Sequence, residues 1–110
     1  MFTSVLATIT VADLDAAESW YTRLFGAGPD ARPMAGLLEW HLSQGNGVQV
    51  FAEEEHAGHS ALVLGTDDLD LEAARLRDAG IDQPAPQPGG GARVLVLADP
   101  DGNRVVLFGA

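Results

Sequence analysis

Residues 98–109, ADPDGNRVVLFG, repeat the pattern of residues 43–52, SQGNGVQVFA. In both stretches a Gly-Asn pair ends a short polar run, one residue follows it, and an apolar segment then closes on Phe51 or Phe108. A short apolar run after turn residues is typical of a buried β-strand. The same turn and strand therefore occur twice in a chain of 110 residues, which indicates an internal duplication.

The duplication extends upstream of these two strands. Residues 60–80, SALVLGTDDLDLEAARLRDAG, align with the N-terminal stretch at an offset of 55 positions, which places Leu6 on Ala61 and Asp13 on Asp68. In each copy an apolar, partly alternating run predicts a strand, the aspartate is a helix N-cap, and helical periodicity follows. The pattern thus predicts a strand and then a helix in each copy.

Further strands complete each copy. In the first copy the segments LLEWHL and VQVFAE read as two strands around a turn, and residues 30–34 are a candidate for a third, at the sheet edge. The sequence therefore predicts an α+β fold of two tandem βαβββ modules, about residues 1–55 and 58–110, in one domain. Two such modules are too few for a solenoid, and their curved mixed sheet is expected to leave a shared concave face for a ligand.

Composition limits the classes of partner. The 16 acidic residues outnumber the 6 basic ones and give a formal net charge of −10, which repels nucleic acid and anionic membranes and favours a cationic ligand. Cysteine is absent, so disulfides and thiolate metal sites are excluded. Residues 1–12 lack a basic signal-peptide region, and no apolar run is long enough to span a bilayer. A cytoplasmic protein is expected.

Three segments carry a resemblance to a known family. ITVADLDAAESWYTRLFG, TDDLDLEAARLRDAG and DPDGNRVVLF, in this order, resemble the hallmark segments of the vicinal oxygen chelate superfamily. That superfamily includes glyoxalase I, extradiol dioxygenases, fosfomycin-modifying enzymes and bleomycin-resistance proteins. The resemblance implies the glyoxalase/bleomycin resistance-like fold over nearly the whole chain.

The resemblance also implies where a metal would be held. Enzymes of the superfamily bind a divalent metal through one side chain from the first strand and one from the last strand of each module. The corresponding positions here are Leu6, Gln49, Ala61 and Val106. Leucine, alanine and valine have no donor atom, and a single glutamine is far short of the ligand set of a catalytic metal site. We therefore expect no metal, no cofactor and no catalytic residue.

The histidines leave one alternative open. Glu39 and His41 share a face of the strand before that of Gln49, and alternation places His59 on the face of Ala61, so a relocated metal site from Glu39, His41, Gln49 and His59 is conceivable. The neighbouring HAGH segment, residues 56–59, reads as a solvated connector. GGG, residues 89–91, precedes a strand and is interpreted as a hairpin connection rather than a phosphate loop.

Strand alternation predicts which side chains face the ligand. Val48, Val50, Val105 and Leu107 read as the face under the helices, and Leu38, Trp40 and Leu42 as the better core set of their strand. The predicted ligand-binding residues are Leu6, Thr8, Glu39, His41, Gln49, Phe51, His59, Ala61, Val106 and Phe108. These form an apolar surface with a few hydroxyl, amide and imidazole groups, which fits a small organic ligand.

The expected function is therefore metal-independent binding of a small molecule, as in the bleomycin-resistance branch, with sequestration of a cationic antibiotic or metabolite. The alternative is a metal-dependent lyase, isomerase or dioxygenase of the superfamily with a non-standard metal site. A third possibility is an ancillary domain that assembles with a partner. A homodimer is expected because the concave face would otherwise expose an apolar patch, and Trp20 and Tyr21 are assigned to the helix core.

Overall fold

The computed structural model describes residues 1–110, which form eight strands and two α-helices. The strands are β1 (Val5–Val11), β2 (Ala31–Met34), β3 (Leu37–His41), β4 (Asn46–Ala52), β5 (Ala61–Thr66), β6 (Gln87–Gly89), β7 (Ala92–Ala98) and β8 (Arg104–Gly109). The helices are α1 (Leu14–Phe25) and α2 (Leu69–Asp78), and a short 3-10 turn at Glu54–His56 precedes β5. The order βαβββ occurs twice, as the duplication predicts.

Both helices begin at the predicted aspartates. The Asp13 carboxylate accepts hydrogen bonds from the backbone N–H groups of Asp15 and Ala16, and the Asp68 carboxylate accepts one from Leu71. These bonds satisfy donors that have no partner inside a helix. At the other end of α1, Gly26 adopts a left-handed backbone with φ 80° and donates to the Thr22 carbonyl, a conformation that glycine reaches without strain.

Each module contains a four-stranded mixed sheet, as predicted. The strand order is β1-β4-β3-β2 in module 1 and β5-β8-β7-β6 in module 2. The first strand of each module is parallel to the last one, and the other neighbours are antiparallel. The Gly90-Gly91 pair between β6 and β7 has φ values of 53° and 85°, which fits a tight hairpin turn. The hairpin interpretation of the GGG segment is therefore confirmed.

One buried apolar cluster extends across both modules. It consists of the inner faces of the two helices and of the strand faces that pack against them. Its members include Ile9, Val11, Trp20, Tyr21, Leu38, Trp40, Val48, Val50, Leu69, Leu76, Leu95, Leu97, Val105 and Leu107. The predicted core faces of β4 and β8 are therefore confirmed, and so is the core role of Trp20 and Tyr21. The prediction for Leu42 is wrong: β3 ends at His41, and Leu42 is 41% exposed beyond it.

Polar contacts fix one module against the other. The buried Asn103 side chain accepts a hydrogen bond from the Ser60 backbone N–H at 2.8 Å and donates to the Thr10 carbonyl on β1 at 2.9 Å. On the helix side, the Arg75 guanidinium of α2 donates to the carbonyls of Arg23 and Leu24 at the end of α1. The two modules are therefore joined at the strands and at the helices. Neither helix is long and apolar enough to cross a membrane.

Candidate functional site

The sheet face opposite α1, here called the open face of module 1, carries the polar residues of the predicted site. Strand register sets the rows on this face: Thr8 pairs with Gln49, which pairs with Glu39 on the next strand. In the adjacent row Leu6, Gly47 and His41 are paired in the same way. A Cβ atom on Gly47 would meet the Leu6 side chain at 2.6 Å, so Leu6 lies over this glycine. Residues 6, 8, 39, 41 and 49 therefore share one surface.

Glu39 is the centre of a hydrogen-bonded group on this face. Its Oε1 accepts from the Gln49 side-chain amide at 2.8 Å, and its Oε2 is 2.6 Å from His41 Nε2. These two hydrogen bonds hold the pKa of the Glu39 carboxyl below its usual range, and the one from the Gln49 amide has the larger effect. Glu39 is therefore ionised at neutral pH, so the group presents a negative charge.

A shallow cavity opens beside this group. It has a volume of about 360 Å³ and is lined by Leu6, Glu39, His41 and the chain around Leu42 and Asn46. Its lining combines two leucines with a carboxylate, an imidazole and small polar groups. Such a combination of apolar walls and a few polar groups is usual for small-molecule sites.

The corresponding face of module 2, its open face, is mostly apolar. Ala61, Val63, Val106 and Phe108 are its larger apolar members on β5 and β8, and Phe108 is 43% exposed. The Phe108 ring lies over Gly65, where a Cβ atom would meet it at 2.9 Å. The exposed Arg104 pairs with Ala61 on the same face, so a ligand there would meet aliphatic and aromatic carbon with one guanidinium at the edge.

Besides Arg104, two apolar residues of this face were missing from the predicted site. Val96 on β7 pairs with Val106, and Val63 on β5 pairs with the same residue from the other side. Both valines are exposed. The signal for Val96 was present in the sequence, because it lies between Leu95 and Leu97, which are buried, and alternation directs it to the opposite face.

The structure separates the predicted site residues into two groups. Leu6, Glu39 and His41 line the cavity of module 1, and no cavity in the chain is lined by His59, Ala61, Val106 or Phe108. His59 is exposed and precedes β5, which begins at Ala61. It has no part in the hydrogen bonds that join Glu39, His41 and Gln49.

The superfamily's metal does not fit the residues present. The side chains at Leu6, Ala61 and Val106 offer only carbon, and Gln49 offers a single neutral amide oxygen. No group of three or more His, Asp and Glu side chains converges in the chain. The donor chemistry that a divalent cation requires is therefore missing at the expected positions.

Comparison with known proteins agrees with the duplicated fold. A sequence model of the Glyoxalase/Bleomycin resistance protein/Dioxygenase superfamily matches residues 4–107. The chain belongs to this superfamily. The predicted family and fold class are thereby confirmed, and the match covers both modules.

Solved structures of superfamily members overlay on the whole chain. A glyoxalase/bleomycin resistance protein from Catenulispora acidiphila DSM 44928 is 28% identical, with a TM-score of 0.91 and 99% of each chain covered. A bleomycin resistance determinant encoded on the transposon Tn5 is 25% identical, with a TM-score of 0.78 and 94% of each chain covered.

A bleomycin-binding protein solved in complex with bleomycin is 24% identical, with a TM-score of 0.76 and coverage of 100% of this chain and 98% of that one. At this identity the likeness concerns the fold alone. No curated protein sequence matches the chain.

Proposed function

We propose that the chain is a metal-independent binding protein that sequesters a small cationic antibiotic or metabolite without changing it chemically. The observation that carries this proposal is the carbon-only side chain at Leu6, Ala61 and Val106, three of the four positions where enzymes of the superfamily hold their metal. The surface that remains can bind a ligand through packing and a few hydrogen bonds. Those three positions supply no ligand for the metal on which the superfamily's enzymes rely.

Charge and family both support this choice. The net charge of −10 raises the local concentration of cations around the chain. The bleomycin resistance determinant of Tn5 has the same fold over 94% of its length, at 25% identity. The lack of cysteine fits a reducing compartment, and we include a cytoplasmic location in the proposal.

Isothermal titration tests the binding function directly. The protein is titrated with bleomycin and with a panel of cationic and aromatic antibiotics, and high-resolution mass spectrometry of the recovered ligand follows. We expect saturable one-to-one binding per chain for at least one compound, and recovery of that compound unchanged. Failure of every compound to bind, or recovery of a modified compound, would contradict sequestration.

Metal analysis separates the proposal from the enzymatic alternative. Protein purified without a histidine tag is dialysed and its metal content is measured by plasma mass spectrometry. Sequestration predicts less than a tenth of an equivalent of Zn, Ni, Mn or Fe. A stoichiometric metal that is lost in the His41→Ala variant would instead favour an enzyme with a relocated site.

We also propose that the protein is a homodimer. The open face of module 2 exposes Val63, Val96 and Phe108 to water, and the polar cavity belongs to module 1. A symmetric pair in which each module 1 faces the partner's module 2 would cover this apolar surface and complete two equal sites. Light scattering is expected to give twice the chain mass of 11.5 kDa at micromolar concentration. A mass of one chain would contradict the dimer.

A further inference from the structure

Glu39 differs in its hydrogen-bond partners from the other carboxyl groups whose pKa the fold lowers. Glu18 and Asp70 also have a lowered pKa, and their main partners are the guanidinium groups of Arg32 and Arg93. Glu39 has no arginine partner, and its two oxygens accept only from an amide and an imidazole. Its negative charge is therefore held in place without a permanent positive charge beside it.

The surroundings of Glu39 limit its access to water. Its side chain is only 15% exposed, whereas that of His41 is 53% exposed. A partly buried carboxylate is unfavourable unless it is paired or fully hydrogen-bonded. Because His41 is the more exposed partner, it can move into solvent without opening the sheet. The Oε2 atom of Glu39 is thus available to a competing donor that enters the cavity of about 360 Å³.

The chemistry of the imidazole defines that competitor. A carboxylate only accepts hydrogen bonds, so His41 donates through Nε2–H in both its neutral and its protonated forms. A group that replaces it must also donate, and a positively charged donor forms the stronger bond to a carboxylate. A primary ammonium group combines this positive charge with three N–H donors.

We propose that the cavity of module 1 is a subsite for a primary ammonium group, which replaces His41 on the Oε2 atom of Glu39. This inference rests on the proposed binding function and names the chemical group that the site selects. Gln49 keeps its bond to Oε1 and holds the carboxylate in place. The apolar body next to the ammonium packs on Leu6, which lines the same cavity.

A matched pair of small probes tests the subsite. Benzylammonium chloride and the neutral benzyl alcohol are titrated into the whole protein, and the side-chain amide of Gln49 and the ring of His41 are followed by NMR. We expect benzylammonium to bind with a Kd on the order of 1 mM, as for a ligand of so few atoms, and benzyl alcohol to bind at least tenfold more weakly.

Three variants assign the effect to these residues. Glu39→Gln keeps the shape of the side chain and should weaken benzylammonium binding at least tenfold, whereas the exposed carboxylate control Glu55→Gln should leave it unchanged. His41→Ala removes the competitor, so benzylammonium should bind at least as tightly as it does to the unchanged protein. Circular dichroism confirms that each variant is folded.

The outcomes distinguish the subsite from the wider function. Equal binding of the two probes, or an unchanged affinity in Glu39→Gln, overturns the subsite even if bleomycin binds. Binding of benzylammonium that depends on Glu39, with no antibiotic bound, sustains the subsite and removes support for antibiotic sequestration. If neither probe nor antibiotic binds, both proposals are wrong.

Discussion

The Tyr21 hydroxyl on α1 donates a hydrogen bond of 2.7 Å to the carboxylate of Asp99, which lies 78 positions away in the turn before β8. Asp99 is buried and also accepts from the backbone N–H groups of Asp101 and Asn103 and from the Asn103 side chain. This carboxylate is therefore satisfied by four donors, and one of them comes from the other module. The contact connects the helix of module 1 to the repeated turn of module 2.

Removing the Tyr21 hydroxyl should weaken the fold without creating a cavity. Tyr21→Phe keeps the buried ring and deletes one donor to an ionised group, and such bonds contribute about 1.5–3 kcal/mol. We expect the free energy of unfolding to fall by about that amount in urea titrations. A change below about 0.5 kcal/mol would mean that Asp99 does not depend on this donor. Ser19→Ala, at an exposed position on the same helix, serves as the control.

Tyr21 should also make the protein sensitive to alkali. Burial is the main cause that raises the pKa of the Tyr21 phenol far above its usual range, and the hydrogen bond to Asp99 is the second. The unfolded chain releases this proton near pH 10, whereas the folded chain keeps it, so stability is complete below about pH 10 and falls as the pH rises further.

The measurement uses the fact that Tyr21 is the only tyrosine in the chain. Tyrosinate absorbance should stay absent in the folded protein above pH 10 and should appear together with loss of the circular dichroism signal. In urea-unfolded protein it should appear near pH 10. Tyrosinate in a protein that is still folded at pH 10 would contradict the prediction. The Tyr21→Phe variant should lose this component of the pH dependence.

The duplicated Gly-Asn turn provides a matched pair of variants. Asn103 is fully buried and bonds the Ser60 backbone and Thr10, whereas its counterpart Asn46 is exposed. Asn103→Ala removes the acceptor of the Ser60 N–H and one donor each to the Thr10 carbonyl and the buried Asp99 carboxylate, so we expect a loss of about 2–4 kcal/mol in the free energy of unfolding. Asn46→Ala should change it by less than about 0.5 kcal/mol. Similar losses in both variants would show that the inter-module bonds are unimportant.

The difference between the two asparagines shows what the sequence could not reveal. The repeat predicted the same local structure at Asn46, which begins the last strand of module 1, and at Asn103, which immediately precedes the last strand of module 2. Local patterns depend on neighbours in the chain, such as the caps Asp13 and Asp68, and these were predicted correctly. The burial of Asn103 depends on the packing of one module on the other, which involves Thr10, 93 positions away.

In the candidate site, too, the sequence predicted the local pattern of each strand and not the contacts between strands. Alternation placed Glu39 and His41 on the face opposite the core residues Leu38 and Trp40, as observed. It could not supply the pairing of Glu39 with Gln49, because the register between two strands depends on the geometry of the connecting turn. It also failed at Leu42, where the strand ends and alternation no longer applies.

Arg75 should contribute to the fold in a way that its neighbour Arg77 does not. The Arg75 guanidinium bonds the terminal carbonyls of α1 and the Glu72 carboxylate, whereas Arg77 is exposed and has no hydrogen-bond partner through its side chain. Charge-assisted bonds at a helix C-terminus satisfy carbonyls that lack a helical partner. We expect Arg75→Ala to lower the free energy of unfolding by about 1–3 kcal/mol and Arg77→Ala by less than about 0.5 kcal/mol. Equal effects in thermal or urea unfolding would contradict this.

The aromatic residues of the open faces should matter more for binding than for folding. Phe108 is 43% exposed and Phe51 is half-buried, so replacing either with alanine leaves a smaller cavity than the loss of a fully buried phenylalanine, which costs about 3–5 kcal/mol. We expect Phe108→Ala to lower stability by less than about 2 kcal/mol. The same ring offers a large rigid contact surface, and its removal should weaken binding of bleomycin, or of the panel antibiotic that binds best, at least tenfold.

Isothermal titration and urea unfolding of the same preparations give the two quantities to be compared. Leu71→Ala is the control, because Leu71 is an exposed apolar residue on α2, outside both open faces. It should change neither the affinity nor, by more than about 0.5 kcal/mol, the stability. If Phe108→Ala unfolds the protein, or if Leu71→Ala weakens binding as much, then Phe108 acts through the fold and the ligand does not contact the open face of module 2. Retained stability with a tenfold loss of affinity would place the ligand against this ring, where the dimer proposal brings it opposite the Glu39 cavity of the partner.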